Sequence, residues 1–282
     1  MELTLKQKKE VTRSLDRYVT KIGSQSKAAK AMDIAASTLG AVLKGQYDIV
    51  SDEMLRKIES YTTQNAQWSL VETGAYKEIT EVLTLAKEQC GVTWITADAG
   101  SGKSSTARDY ADKVRNVYYI LCNEDMRKRD FLDAICRAIG VYNYATRTLS
   151  MAMYDIVERL RKLDQPLLIF DEADKLSDQI LNYFVQLYNE LEDKAGMVFL
   201  STPYIKVRME RGIRCNKRGF AELNSRIGRR FFVVSPTNAG DIYAICKANG
   251  IGEDGIIDKI VKDASGYDLD LRRVKKLVQT KR

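Results

Sequence analysis

A chain of 282 residues, 45% apolar and 29% charged, has the composition of an ordinary globular protein, with room for one substantial core and one or two small satellites. No apolar run approaches the roughly 18 residues of a membrane helix, and the charged stretch Met1 to Glu10 has no secretory h-region, so a cytoplasmic protein without a membrane partner is expected. The absence of histidine excludes Ser-His and Cys-His catalytic pairs and histidine-ligated metals, leaving carboxylates, lysine, arginine and a bound metal for any chemistry. Five scattered cysteines without a C-x-x-C pair read as free, buried thiols, and the net charge of +7 suits an anionic partner.

The first sixty residues, rich in Ala, Lys, Ser and Leu, contain no strand-like run, and residues 1–62 are expected to form an all-α unit. Within it, Ser24 to Met32 and Asp33 to Gly45 read as helix, tight turn, helix. Ala28, Ala29, Ile34, Leu39 and Leu43 take the packing positions. Ser37, Thr38 and Lys44 fall on or beside the second helix, where a DNA major groove would be met. This pattern resembles the repressor-type helix-turn-helix; a small bundle for protein contacts is the other reading. The exposed face offers few arginines for base readout, so largely sequence-independent contact with double-stranded DNA is expected.

The polar stretch Tyr61 to Ser69 reads as a linker, assigned to residues 63–70, with helix resuming over Gly74 to Gln89. Residues 71–235 are expected to form the main core and 236–282 a small helical lid. In the core, Val92 to Ala97, Asn116 to Cys122, Pro166 to Asp171, Met197 to Ser201 and Phe231 to Ser235 are short apolar strand candidates separated by helical segments. That alternation predicts an α/β fold, a parallel sheet covered on both faces. Three helices, near 238–248, 254–264 and 269–280, make up the lid.

The run Ala97-Asp98-Ala99-Gly100-Ser101-Gly102-Lys103-Ser104 follows the first strand and opens a helix, the context in which a Walker A pattern becomes a structural claim. Gly100 and Gly102 let the backbone approach a phosphate, flanked by Ser101 and Ser105. Lys103 would reach the β- and γ-phosphates and Ser104 would help hold Mg²⁺. Ala97 stands where the pattern has its first glycine, which removes no chemical group. Further on, Leu167 to Phe170 is a buried strand ending in Asp171-Glu172, at the edge where such sheets bind ligands. Asp171 is placed to hold Mg²⁺ and Glu172 to polarise a water; capping of the next helix is the plainer reading of both. ATP and Mg²⁺ are the cofactors expected.

These elements resemble the AAA+ ATPases from about residue 72 to the end. The resemblance implies a P-loop AAA+ core with a sensor 1 residue at Ser201-Thr202, Thr202 being favoured. It implies an arginine finger in Glu222-Leu223-Asn224-Ser225-Arg226-Ile227, with Arg226 the candidate and Arg229 and Arg230 close by. It also implies a sensor 2 helix opening at Ser265 to Arg273, with Arg272 the phosphate contact and Arg273 as readily on a solvent face. An arginine supplied by a neighbouring subunit implies a homo-oligomer.

Two basic clusters, Arg127-Lys128-Arg129 after the second strand and Lys206, Arg208, Arg211, Arg214, Lys217 and Arg218 with only Glu210 opposing them, are read as loops able to track a phosphate backbone. A helix-turn-helix joined to a compact AAA+ core, with the segments Thr202 to Gly212 and Phe220 to Ile227, resembles the AAA+ ATPases of phage DNA transposition. That resemblance implies a protein that binds ATP, assembles as a helical filament on DNA, marks target DNA and stimulates a transposase. A helicase loader or replication initiator, and an ATP-switched transcription regulator, are the alternatives.

Overall fold

The structure is a computed structural model that describes residues 3–64, 68–142 and 148–281. It divides into two compact units, Met1–Trp68 and Ser69–Arg282. In the first, α1 (Leu5–Ile22) starts at Thr4, whose hydroxyl accepts the Gln7 N–H while Gln7 returns the bond to the Thr4 N–H, satisfying two of the donors a helix start leaves open. It ends at Gly23 in the left-handed region, φ 72°, which glycine adopts without strain. Ser24 then caps α2 (Gln25–Met32), Asp33 turns the chain at φ 53°, and α3 (Ala36–Leu43) and α4 (Asp52–Gln64) follow. Val11, Leu15, Ala28, Leu39, Leu55 and Ile58 form their shared core.

One boundary differs from the sequence reading. Helix α4 continues to Gln64, into the expected linker, because Tyr61 still packs edge-on against Tyr18, ring centroids 5.7 Å apart, and Thr62 bonds back to the Ile58 carbonyl. Residues 65–67 of that linker lie outside the described residues.

The second unit runs α5 (Gly74–Glu88), β1 (Val92–Thr96), α6 (Lys103–Lys113), β2 (Val117–Leu121), α7 (Lys128–Ala138), α8 (Leu149–Arg161), β3 (Leu167–Asp171), α9 (Asp178–Leu191), β4 (Gly196–Ser201), α10 (Tyr204–Arg214), α11 (Phe220–Arg226) and β5 (Phe231–Val233). It closes with α12 (Ala239–Ala248), α13 (Asp254–Ser265) and α14 (Leu271–Lys281). All five strands are parallel, in the order β2-β3-β4-β1-β5. The α/β architecture read from the sequence is therefore the one present.

β3 and β4 are buried along their whole length, which is why they read as continuous apolar runs: helices cover both faces. One face packs Trp94, Phe131, Phe170, Phe184 and Phe199, with Phe199 stacked on Trp94 and Phe170 at 4.7 and 5.2 Å and met edge-on by Phe184 at 4.6 Å. The Trp94 indole N–H, buried with its ring, donates to Ser201 Oγ at 2.8 Å, so its burial leaves no orphan donor. The other face packs Ile79, Leu83, Ile95, Ala107, Ile169 and Leu200. From β1 the chain crosses to the far edge at β2, with β4 and β3 lying between, so the ends of β1, β4 and β3 open side by side at the switch in strand order where α/β sheets take ligands.

Candidate nucleotide site and basic surfaces

The loop from Ala97 to Gly102 leaves β1 and enters α6 through two left-handed glycines, Gly100 at φ 77° and Gly102 at φ 91°. Gly102 is the residue before the helix, so the amides of Lys103, Ser104 and Ser105 form its open first turn, where an anion finds N–H groups and the positive end of the helix dipole. Lys103 Nζ donates to the Ala97 and Asp98 carbonyls at 2.6 and 2.7 Å and to Ser101 Oγ at 3.5 Å, which stations the ammonium over the loop. Burial lowers its pKa, against the opposing pull of Asp171, Asp98 and Asp174.

Asp171 closes β3 and is 1% exposed. Its Oδ1 accepts the Glu172 N–H at 2.9 Å and its Oδ2 the Tyr119 hydroxyl at 2.5 Å. Glu172 sits at φ 56°, and its carboxylate pairs with Lys175 at 2.7 Å, which raises the lysine's pKa. The neighbouring Cys122 thiol is pushed up to about 12 by burial and then by Asp171, making it an inert part of the core. Ser104 and Asp171 offer hard oxygen donors suited to Mg²⁺. Among the described residues there is no group of three or more His, Cys, Asp or Glu that could hold a metal ion.

At the end of β4, Ser201 is engaged by Trp94, while the Thr202 hydroxyl donates to Asp174 Oδ2 at 2.7 Å. The lid reaches the loop through the start of α14. The Leu271 N–H donates to the Gly100 carbonyl at 3.1 Å, Leu271 packs near Gly102, and Asp270 accepts the Arg272 N–H at 2.7 Å. Between loop and lid is a cleft lined by Asp98, Gly100, Ser101, Pro236, Thr237 and Asp270 among others. Arg272 is exposed and close enough to Lys103 to depress its pKa further. Arg273 faces away, bound to Asp263 at 2.5 Å and over the Tyr267 ring at 3.8 Å.

Arg226 ends α11 with Nη2 and Nε on Asn189 Oδ1 at 2.7 and 3.2 Å and its guanidinium over the Tyr188 ring at 5.4 Å. It is therefore oriented from α9. Arg229 and Arg230 are exposed, and Arg229 takes φ 55°.

The two basic clusters are mostly helical rather than loops. Arg127 precedes α7, and its N–H bonds to Asp130 at 2.9 Å. Lys128 lies over the Tyr183 ring at 5.2 Å, and Arg129 pairs with Asp133 at 3.0 Å. In the second cluster Lys206, Arg208, Arg211 and Arg214 lie on α10. Arg208 and Lys217 both bind Asp178, at 2.5 and 3.1 Å, and burial of Asp178 is outweighed by these bonds, which hold its carboxyl below the ordinary range. Two of the six cations thus join α10 and the α10–α11 turn to the start of α9. In the N-terminal unit, Ser37 and Lys44 are exposed and Thr38 is half-buried on α3.

Tyr119, Asp174, Lys175 and Asp270 escaped the sequence reading. Tyr119 shares the face of Asp171 only through the register between β2 and β3, and no spacing signals the other three.

Residues 86–209 match the family model described as AAA domain, and the five-stranded parallel sheet with its glycine-shaped loop after β1 is in keeping with that match. The chain is similar to the ATP-dependent target DNA activator B of Escherichia phage D108 and of Escherichia phage Mu, 28% identical to each over 196 residues, or 68% of this chain. It spans 61% of the length of these curated relatives. Among solved structures it is similar to the Aeropyrum pernix ORC1 protein in complex with DNA, with a TM-score of 0.57 and 18% identity over 76% of this chain and 60% of that one. The Aeropyrum pernix ORC2 protein (ADPNP-ADP complexes) follows, at 0.56 and 16% over 76% and 62%. These two likenesses carry the fold. No described helix is long and apolar enough to cross a membrane.

Proposed function

We propose that this protein is an ATP-hydrolysing, DNA-binding AAA+ ATPase that assembles on target DNA and activates or directs a transposase. The observation that carries this reading is the conjunction of a glycine-shaped phosphate loop, with Lys103 and Ser104 in register, and a sequence 28% identical to two target DNA activators.

The amides of Ser101 to Ser105 and the Lys103 ammonium, the Walker A elements, hold the β- and γ-phosphates, and Arg272 approaches from the lid. Ser104 and the Walker B Asp171 hold Mg²⁺, which neutralises charge on the transferring phosphoryl group. Glu172, once released from Lys175, orients and deprotonates the attacking water, and Thr202 steadies that water or the γ-phosphate. Arg226 completes the site of the next subunit in a homo-oligomer or helical filament. ATP at subunit boundaries then favours assembly, and each added subunit brings its phosphate contacts to one duplex, so affinity rises with filament length. Ser37, Thr38 and Lys44 of the repressor-like helix-turn-helix and Arg127, Lys128 and Arg129 of the core supply those contacts, largely without reading sequence. Five free thiols are in keeping with work in a reducing cytoplasm.

The test is twofold. Binding to unrelated duplexes, followed by fluorescence anisotropy, should require ATP and weaken steeply with salt, and strand transfer by a cognate transposase should rise when the protein and ATP are present. ATP-independent binding to one operator sequence, or no effect on the transposase, would overturn the reading.

A further inference from the structure

Tyr119 lies on β2 two residues before Leu121, the partner of Asp171 in the parallel register, so strand alternation puts its ring and the Asp171 carboxylate on one face of the sheet. Its hydroxyl donates to Asp171 Oδ2 at 2.5 Å. Asp171 Oδ1 takes the Glu172 N–H at 2.9 Å, so the carboxylate is held by one donor on each oxygen. The terminal torsion of an aspartate is otherwise broad; two donors from two directions make it single-valued. The ring is clamped in turn by Arg108 of α6, whose guanidinium stands 5.0 Å from its centroid.

We propose that Tyr119 is the positioning residue that orients the Asp171 carboxylate toward Mg²⁺ at the nucleotide site. The proposal rests on the reading of Asp171 as the Mg²⁺ carboxylate. A hard cation with near-octahedral demands tolerates little wander in a carboxylate that meets it directly or through water, and partners that orient a ligand govern metal affinity by about 10- to 100-fold. Each oxygen of Asp171 keeps a lone pair beyond its protein donor. Removal of the phenol oxygen leaves Oδ2 buried without that donor and lets the carboxylate rotate.

Tyr119→Phe keeps the ring and deletes only the donor. ADP affinity should be measured by calorimetry in EDTA and across a Mg²⁺ titration, with Mn²⁺ binding to the ADP complex followed by electron paramagnetic resonance. The expected result is unchanged metal-free ADP affinity and a rise of about tenfold in the Mg²⁺ and Mn²⁺ concentrations needed for half-saturation. In a cycle with Asp171→Asn, the double variant should titrate like Asp171→Asn alone, because the tyrosine acts through that carboxylate. A metal titration identical to wild type, or a drop in melting temperature as the sole effect, would overturn the proposal. If Tyr119→Phe does not fold, Arg108→Gln, at an exposed position against the same ring, carries the test on the same titration. Wild-type ADP affinity insensitive to Mg²⁺ would instead sink the metal-site reading itself, so the two failures are distinguishable.

Discussion

The carboxylate of Asp270 lies against the α-carbon of Gly100: a β-carbon at Gly100 would stand 2.2 Å from Asp270 Oδ1. The lid therefore rests a negative charge on the loop meant for phosphates, at the point where the Leu271 N–H holds the Gly100 carbonyl. Asp270→Asn keeps a side chain that can accept the Arg272 N–H and cap α14 while removing the charge. It should tighten ATP and ADP binding about fivefold, the equivalent of about 1 kcal/mol for one partly exposed charge pair, as calorimetry would register. Unchanged or weaker binding would mean that the carboxylate does not oppose the phosphates. Gly100→Ala, strained at φ 77° and blocked by Asp270, should abolish binding.

On the proposed reading Lys103 binds phosphate as a cation, and burial sets its pKa below that of an ordinary lysine. Nucleotide affinity should therefore be fully present at neutral pH and fall as pH rises through that lowered pKa, before an ordinary lysine would titrate. Lys103→Arg, always charged, should flatten the alkaline limb whatever its affinity at neutral pH. An affinity constant up to pH 10.5 in the wild type would contradict this ionisation.

Arg226 touches Asn189 and Tyr188 of its own chain. Arg226→Ala should leave ATP binding intact and cut hydrolysis by about a thousandfold, as expected when a finger in trans is removed; mixing it with Glu172→Gln subunits should restore part of the rate, since some boundaries then pair an intact finger with an intact base. Asn189→Ala, which frees the guanidinium without deleting it, should lower hydrolysis less. Loss of binding in Arg226→Ala would move the residue into its own chain's pocket.

The basic stretch should divide into two behaviours. Arg208→Ala breaks the pair with Asp178 and the bond to the Asp174 carbonyl and should cost about 1–2 kcal/mol of stability, discounted for partial exposure. Arg127→Ala, exposed ahead of α7, should leave the melting temperature unchanged and lower the salt slope of DNA binding by about one. Chemical denaturation and anisotropy titrations at several salt concentrations separate the two.

The α/β alternation was legible because the strands are short apolar runs and the loop glycines sit between a strand and a helix. Lys103, Ser104, Asp171 and Glu172 could be singled out as candidates because the pattern that suggests them is local in sequence. What stayed hidden is non-local. Arg208 and Lys217 looked like free cations because only Glu210 opposes the six in their own segment, yet Asp178 meets both from another helix. Tyr119 looked like one more strand aromatic, since only the β2–β3 register brings its hydroxyl to Asp171. Asp270 accepts the Arg272 N–H at the start of α14, and its approach to Gly100 depends on how the lid folds back. The continuation of α4 to Gln64 was missed because polar Thr62 masks the packing of Tyr61 on Tyr18.

The central claim, ATP-driven assembly on DNA, is tested most directly by electron microscopy of the protein with duplex DNA, with ATP, with ADP and without nucleotide. Filaments or rings on the duplex with ATP, absent with ADP and persistent with ATP in Glu172→Gln, are the predicted result. Monomers under every condition, or assemblies indifferent to nucleotide, would contradict it.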